Sequence, residues 1–444
     1  MFRRHLFLRL GAMVTLLALL PASVSLPASA APAPGPAAAE CSWWVETSMQ
    51  TTNVLYPDTS AAYWTMPYLS NEAQLIEING VYLDARYFAI QAYGADAQLF
   101  ESPEGQVSAL ADYQIAPNAG SVNPWDDSTA PGASWTVTMA DTAVPGATNL
   151  LPLTPPGQVT PLIPEIPATT GFIMMRVYLP ADGFADVRDY LPTVTVTDRG
   201  GIARTLEPCS PQQRKALAET KDGIALAKAL KTRTEPPSAD CGASCPPDLT
   251  FFKVGSDSTP FPNADSAYVG ALFDPRQGRV VVARAVMPTT STGESPEVWT
   301  GGKQLRYWSI CNYVHKAPFP AVETVIGGKG QKVVACTNDT TTSLVKGVAT
   351  IVLSYPVDKK ALQPRLKKMK NVTWMPMSPR YGETQELLAF RNMLANPTFA
   401  QSATNIPTTG DPAAAQGTMG KYYPQVAMCS IRTFLKSGPA GCLN

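Results

Sequence analysis

Tyr56-Pro57-Asp58-Thr59-Ser60-Ala61-Ala62-Tyr63 returns later in the chain as Phe261-Pro262-Asn263-Ala264-Asp265-Ser266-Ala267-Tyr268. The same offset, without a gap, lays the apolar run Leu75–Ile78 on Val280–Ala283. After a longer connection in the second copy, Arg306-Tyr307-Trp308-Ser309-Ile310-Cys311-Asn312-Tyr313 matches Arg86-Tyr87-Phe88-Ala89-Ile90-Gln91-Ala92-Tyr93. The chain is therefore an internal duplication, and its segments are short, β-branched and aromatic rather than long and helical. Two related β domains follow from that reading.

Size agrees. A chain of 444 residues exceeds one ordinary hydrophobic core. Charged residues make up only 16%, while 42 prolines and 31 glycines mark many turns and strand ends. The formal net charge is zero, and removing a leader that holds Arg3, Arg4 and Arg9 but no acid takes it to about −3. No basic footprint for nucleic acid or an anionic membrane exists.

The first thirty residues have the parts of an export signal: the three arginines, an apolar run from Leu10 to Leu20, and the small residues Ala28-Ser29-Ala30 before cleavage after Ala30. The run is too short for a transmembrane segment. The general and twin-arginine routes both accept this start, and the expected location is secreted, extracellular. Residues 31–40 are an Ala/Pro-rich segment expected to be disordered.

All eight cysteines lie beyond the leader, an even number that suits an oxidising compartment. Cys41 and Cys245 precede the two repeat copies at nearly the same distance. Cys41–Cys209 would fasten the ends of the first domain, and Cys311–Cys336 and Cys429–Cys442 would close local loops. Cys241 and Cys245 read as disulfide cysteines rather than metal ligands, since zinc wants four ligands and no histidine lies near.

Taken in order, residues 41–209 form the first β-sandwich. Its strand candidates are Leu75–Ile78, Tyr87–Tyr93, Trp135–Met139, Phe172–Leu179 and Thr193–Thr197, and the last alternates with a two-residue period. The Pro-rich Leu151–Pro167 reads as an extended surface loop. Residues 210–240 are a helical linker: Ser210 caps, Pro211 suits the first turn, and an alanine-rich body runs to about Thr232. Residues 241–444 form the second β-sandwich with a C-terminal helix and tail. Val280–Val286, Tyr307–Asn312, Gln331–Cys336 and Val348–Tyr355 read as its strands, the last matching Phe172–Tyr178 in character. Glu383–Leu394 reads as a helix closed by Asn396-Pro397. Lys359–Lys370 reads as a solvated basic loop or helix face, and Gly327–Gly330 as a turn. The fold class is mainly β: two tandem jelly-roll-like β-sandwich domains joined by a helix.

Histidine poverty limits the chemistry. Of two histidines, His5 lies in the leader, leaving His315. A multi-histidine metal site is out of reach, so neither metal nor cofactor is expected. No Gly-x-Ser-x-Gly elbow or phosphate-binding Gly-x-x-x-x-Gly-Lys loop occurs. Paired carboxylates could still hydrolyse a polysaccharide, but nothing marks a pair. Tyr63, Trp64, Arg86 and Tyr87, with Tyr268, Arg306 and Tyr307 in the second copy, are the candidate ligand-binding residues. Aromatic rings offer flat faces to sugars, and an arginine fork binds a carboxylate. The same set also suits architecture, with the aromatics in the core and Arg86 paired to Asp58. The change of Asp58 to Asn263 argues against Asp58 as a catalytic acid shared by both copies.

The Tyr56–Trp64 segment, Ala85–Phe88 and Pro117–Trp125 resemble a group of uncharacterised secreted actinobacterial proteins. Leu305–Cys311, Leu388–Leu394 and Met419–Pro424 resemble the second half of the same group. The first domain is also distantly similar to β-sandwich domains of unknown function in paired bacterial envelope proteins. This resemblance implies the fold and no established activity. The expected function is a secreted, non-catalytic extracellular or cell-envelope protein that binds a glycan or another cell-surface ligand. The alternatives are a carboxylate-based polysaccharide hydrolase and a purely structural or assembly protein.

Overall fold

Apolar runs become strands in both halves, and which strands alternate is set by what covers their faces. The computed structural model describes residues 40–125, 133–231, 249–255, 259–291, 302–326, 330–369, 371–378 and 385–443. All of these belong to one compact unit. The first half contains β1 (Cys41–Ser42), β2 (Val45–Ser48), β3 (Ala61–Leu69), β4 (Ala73–Val81), β5 (Ala85–Tyr93), β6 (Ala109–Ala111), β7 (Ser134–Ala140), β8 (Leu150–Pro152), β9 (Thr170–Pro180), β10 (Thr193–Asp198) and β11 (Ala203–Pro208). The second contains β12 (Phe252–Lys253), β13 (Ser266–Phe273), β14 (Val280–Val286), β15 (Leu305–Val314), β16 (Glu323–Ile326), β17 (Gln331–Val334), β18 (Cys336–Asn338), β19 (Val348–Ser354), β20 (Val372–Pro376), β21 (Glu386–Ala395) and β22 (Gln425–Cys429).

Each half is a pair of sheets. In the first, β2-β3-β9-β5-β6 lies over β1-β11-β10-β4-β7-β8; in the second, β12-β13-β21-β15-β18 lies over β20-β19-β14-β22. The two five-stranded orders correspond strand for strand. The outer sheets share the order β10-β4-β7-β8 and β22-β14-β19-β20, including one parallel pair at the same place in each. The duplication read from the sequence is thus a duplication of topology. β1 and β11 are added to the first half, and the hairpin β16–β17 to the second.

Outer strands such as β7 alternate buried and half-buried positions. β3, β9, β15 and β21 are buried along almost their whole length. Each of these inner strands has its own sandwich core on one face and the other half of the molecule on the other, so its sequence need not alternate. The first core is built around Trp43, Trp64 and Trp135, with Phe88 stacked 5.8 Å from Trp135. The second is built around Trp308, Phe390, Val281 and Ile351.

This arrangement corrects several expectations. The stretch Glu383–Leu394, expected as a helix, supplies most of the central inner strand β21 (Glu386–Ala395), paired with both β13 and β15. Its Leu, Ala and Met favour a helix locally, but backbone pairing on both edges and burial of both faces override that preference. The topological match of Thr170–Pro180 is therefore Glu386–Ala395, whereas Val348–Ser354 matches Ser134–Ala140. The linker helix is two helices, Pro211–Ala218 and Lys221–Lys231. Ser210 caps the first in a capping box with Gln213, and the Thr220 hydroxyl accepts from Gly223 N at 3.0 Å to start the second. Gly223 is required there, since a Cβ would lie 1.8 Å from the Leu217 carbonyl. Ala225, Leu226 and Ala229 pack into the first core. The Pro-rich Leu151–Pro167 segment is less superficial than expected, because Leu151, Leu153, Ile163 and Ile166 are buried. The basic stretch forms a helix at Lys359–Leu366 whose Leu362 packs beside Phe434.

Among the described residues three disulfides are formed. Cys41–Cys209 joins positions 168 residues apart, Cys311–Cys336 bridges β15 and β18, and Cys429–Cys442 ties β22 to the last helix. Cys241, Cys245 and most of the Gly327–Gly330 turn lie outside the described residues.

One close approach ties β3 to β9 and to the Leu153 carbonyl. The Tyr68 ring lies over Gly171 of β9 while its hydroxyl donates to the Leu153 carbonyl at 2.7 Å, and a Cβ on Gly171 would stand 2.1 Å from the ring. Gly171→Ala is expected to destabilise the protein by roughly 1–3 kcal/mol through overpacking, measured by urea unfolding, while Gly105→Ala, in an open turn, tests the separate effect of positive φ.

Candidate functional site

The inner sheets carry the repeated motif, and they use it reciprocally. Tyr307 of the second half donates to both Asp58 oxygens of the first, at 2.9 and 3.0 Å. Tyr87 of the first donates to Asp265 of the second at 2.6 Å and to Asn263 Oδ1 at 3.2 Å. Arg86 pairs with Asp339 at 2.5 Å, and Arg306 pairs with Asp112. Tyr56 N donates to the Phe319 carbonyl at 3.0 Å, and Phe261 N to the Ala97 carbonyl at 2.8 Å. Residue i of one copy meets residue j of the other and the converse, as in a two-fold dimer.

The sequence-predicted candidates therefore divide. Trp64 points away from the interface into the first core, fully buried. Tyr87, Arg306 and Tyr307 are buried members of the cross-half network, and Arg86 is a half-buried one. The expected Arg86–Asp58 pair is not formed: Arg86 reaches Asp339 across the interface, and Asp58 holds Arg391 at 3.0 Å. The copies look across at one another rather than inward. Burial raises the phenol pKa values of Tyr63, Tyr87 and Tyr307, with Asp265 adding to the effect at Tyr87 and Asp58 at Tyr307, so these hydroxyls stay neutral, and those of Tyr87 and Tyr307 donate to the acids. His315 is buried, its Nδ1 3.3 Å from the Tyr56 hydroxyl. That is a structural placement.

Tyr63 and Tyr268 have a different setting. They line a cavity of about 90 Å³ enclosed by both halves. Strand register places each opposite an arginine: Tyr63 faces Arg176 across β3 and β9, and Tyr268 faces Arg391 across β13 and β21. Each guanidinium stacks on its partner's ring, at 4.8 Å and 5.0 Å to the centroid. Met174 and Ala389, two positions earlier on the same strands, point to the same side and line the same cavity. Leu55, Phe261 and Leu387 supply further apolar wall. Both arginines are almost wholly buried, and the cavity wall holds no carboxylate among the described residues.

Arg176 and Arg391 were not singled out from the sequence. Both sit in apolar strand runs, in Met174-Met175-Arg176 and Ala389-Phe390-Arg391, where an arginine interrupts a stretch that has no exposed face. A charge inside such a run was the available signal; in the second copy it was hidden because the run read as a helix.

No protein-family model matches the chain, and none of the curated protein sequences is similar to it. Among solved structures, an uncharacterised protein from Burkholderia cenocepacia is similar at 10% identity and a TM-score of 0.46, over 86% of this chain and 80% of that one. The VPA0106 protein from Vibrio parahaemolyticus is similar at 12% identity and a TM-score of 0.39, over 84% and 89%. No site residue is carried over from either.

Two predictions test the electrostatics. Arg306 is fully buried over the Trp125 ring, and Asp112 also accepts from Phe88 N and Tyr113 N at 2.9 and 2.7 Å. Arg306→Met strands a buried carboxylate and should lower unfolding free energy by roughly 3–5 kcal/mol. The double variant Arg306→Met/Asp112→Asn should recover part of that loss, as read by denaturant titration.

Glu386 lies buried at the start of β21, where burial raises its pKa to about 7 despite hydrogen bonds from Asn312 Nδ2 and Ser378 N. Its folded value exceeds its unfolded one, so the folded protein holds the extra proton between about 4.5 and 7. Stability from this group is complete below that window and is lost as pH rises through it, by up to about 3 kcal/mol. Glu386→Gln should flatten that part of the stability–pH curve. An equal slope in wild type and variant would remove Glu386 as its source.

Proposed function

We propose that this is a secreted, non-catalytic binding protein of the bacterial cell surface or extracellular space, which takes a small ligand into the cavity between its two halves. The carrying observation is the cavity wall itself: two buried arginines and two tyrosines from equivalent strands, set among apolar side chains. Apolar walls with a few convergent polar groups are the usual composition of a small-molecule site. The glycan reading of the repeated aromatics is recast by the same geometry, because Trp64, Tyr87 and Tyr307 present no open face on which a sugar could stack. Hydrolysis by paired carboxylates needs two acids facing the substrate, and a wall with no acid among the described residues favours binding there. Actinobacterial origin and export through the N-terminal leader belong to the same proposal. The three disulfides support an oxidising location. Among the described residues no helix is long and apolar enough to cross a membrane.

The test is to purify the mature protein from culture medium, denature it, and identify released small molecules by mass spectrometry. Wild type should release a compound at near one per chain. Val254→Phe, which fills the cavity from a half-buried wall position, should release none while remaining folded by circular dichroism. Equal recovery from both proteins would place the ligand elsewhere, and no compound from either would count against a bound small molecule.

A further inference from the structure

The two arginines of the cavity are equivalent by topology but not by charge. Arg391 donates to Asp58 Oδ2 at 3.0 Å and to the Tyr178 hydroxyl at 2.8 Å. The residue that matches Asp58 in the second copy is Asn263, and Arg176 accordingly has no carboxylate partner among the described residues. Its Nε and Nη2 donate to Gln91 Oε1, the Tyr93 hydroxyl and the carbonyls of Phe261 and Pro262. Its Nη1 makes no hydrogen bond among the described residues. The acid of the second copy has moved two positions, to Asp265, which lies off the cavity wall and accepts from Tyr87. Burial raises the pKa of Asp265, which weakens it as a counter-ion, although it still senses the charge of Arg176.

A buried cation without a paired anion is costly, and proteins tolerate one where something else neutralises it. Donor surplus points the same way. Arg391 Nε, Asn263 Nδ2 and Ser266 Oγ, all on residues that line the cavity, are buried without a hydrogen-bond partner. Acceptors are what the site lacks. Much of the remaining wall is apolar, from Leu55, Met174, Phe261 and Leu387.

We infer that the cavity binds a compact monocarboxylate, with its apolar body against these side chains and its carboxylate at Arg176, in the place that Asp58 fills on the other side. This rests on the ligand-binding reading above and narrows it to one chemical class. A guanidinium–carboxylate pair in a water-poor site is a charge-assisted contact, and the matching amide cannot neutralise the arginine.

Isothermal titration calorimetry of the full mature chain, freed of any bound compound by denaturation and refolding with its disulfides intact, with butyrate, hexanoate, octanoate and phenylacetate, each against its primary amide, tests the inference. At least one acid should bind ten-fold or more tightly than its amide. Arg176→Gln should bring the two within about two-fold. Asn263→Asp/Asp265→Ser writes the first copy's acid arrangement into the second and supplies an internal partner for Arg176. It should keep the fold, since the sister site has that arrangement, and abolish the preference for acid. If an acid and its amide bind wild type equally, and Val254→Phe abolishes both, the carboxylate inference falls while the binding site stands. If no probe binds wild type, the inference is overturned, and the mass-spectrometric result alone then decides the broader reading. Acid preference that survives both Arg176→Gln and the double variant also overturns it.

Discussion

Packing one inner sheet on the other buries charge that must be answered from the opposite half. Arg86–Asp339, Arg306–Asp112 and Arg391–Asp58 all join residues from different copies of the repeat. Arg306–Asp112 and Arg391–Asp58 are buried and Arg86–Asp339 is half-buried, so removing one partner, above all from the first two, would strand the other in a medium that stabilises it poorly. The halves are consequently not independent sandwiches tied by a linker; each completes the other's polar interior. Tyr87 and Tyr307 extend the same exchange, and with the crossing backbone bonds of Tyr56 and Phe261 they fix how the sheets face one another. The attraction within a buried pair of this kind is offset by desolvation, so its net contribution against an apolar replacement is small even though breaking it is costly.

A reciprocal interface would be neutral and closed if both copies were identical. This one departs from identity at Asn263 and Asp265, and the departure falls beside the cavity. On the Arg391 side the carboxylate sits in the network and also accepts from the Ser309 hydroxyl at 2.6 Å. On the Arg176 side the equivalent position offers an amide, already engaged through its oxygen by Tyr87 and Gln91. Duplication supplied a symmetric frame, and a small change in one copy left one cation without a carboxylate partner among the described residues. Function in this protein is best sought where its two halves differ, and stability where they agree.

Much of the fold was legible in the residues. The repeat fixed two related β units, Thr193–Thr197 alternated as a half-buried strand does, and the cysteine positions gave three bridges that the structure contains. Glu386–Ala395 was misread for a physical reason: a strand covered on both faces loses the period-two pattern, and its Leu, Ala and Met then resemble a helix. The linker was read as one helix because nothing local showed how closely Gly223 must approach the Leu217 carbonyl. Of the seven candidate ligand residues, Tyr63 and Tyr268 line the cavity; Trp64, Arg86, Tyr87, Arg306 and Tyr307 are core or cross-half contacts.

By itself the sequence determined that the chain is duplicated, rich in strands, poor in histidine and stapled by cysteines, because those properties live in composition, spacing and local period. Only the tertiary structure decided which acid meets which arginine. Arg86 and Asp58 lie near one another in the chain, yet each finds its partner more than two hundred positions away, in the other copy. Partner choice is set by the facing of two sheets, a long-range geometry that no local pattern encodes. The same facing encloses the cavity and brings Arg176 and Arg391 to its wall.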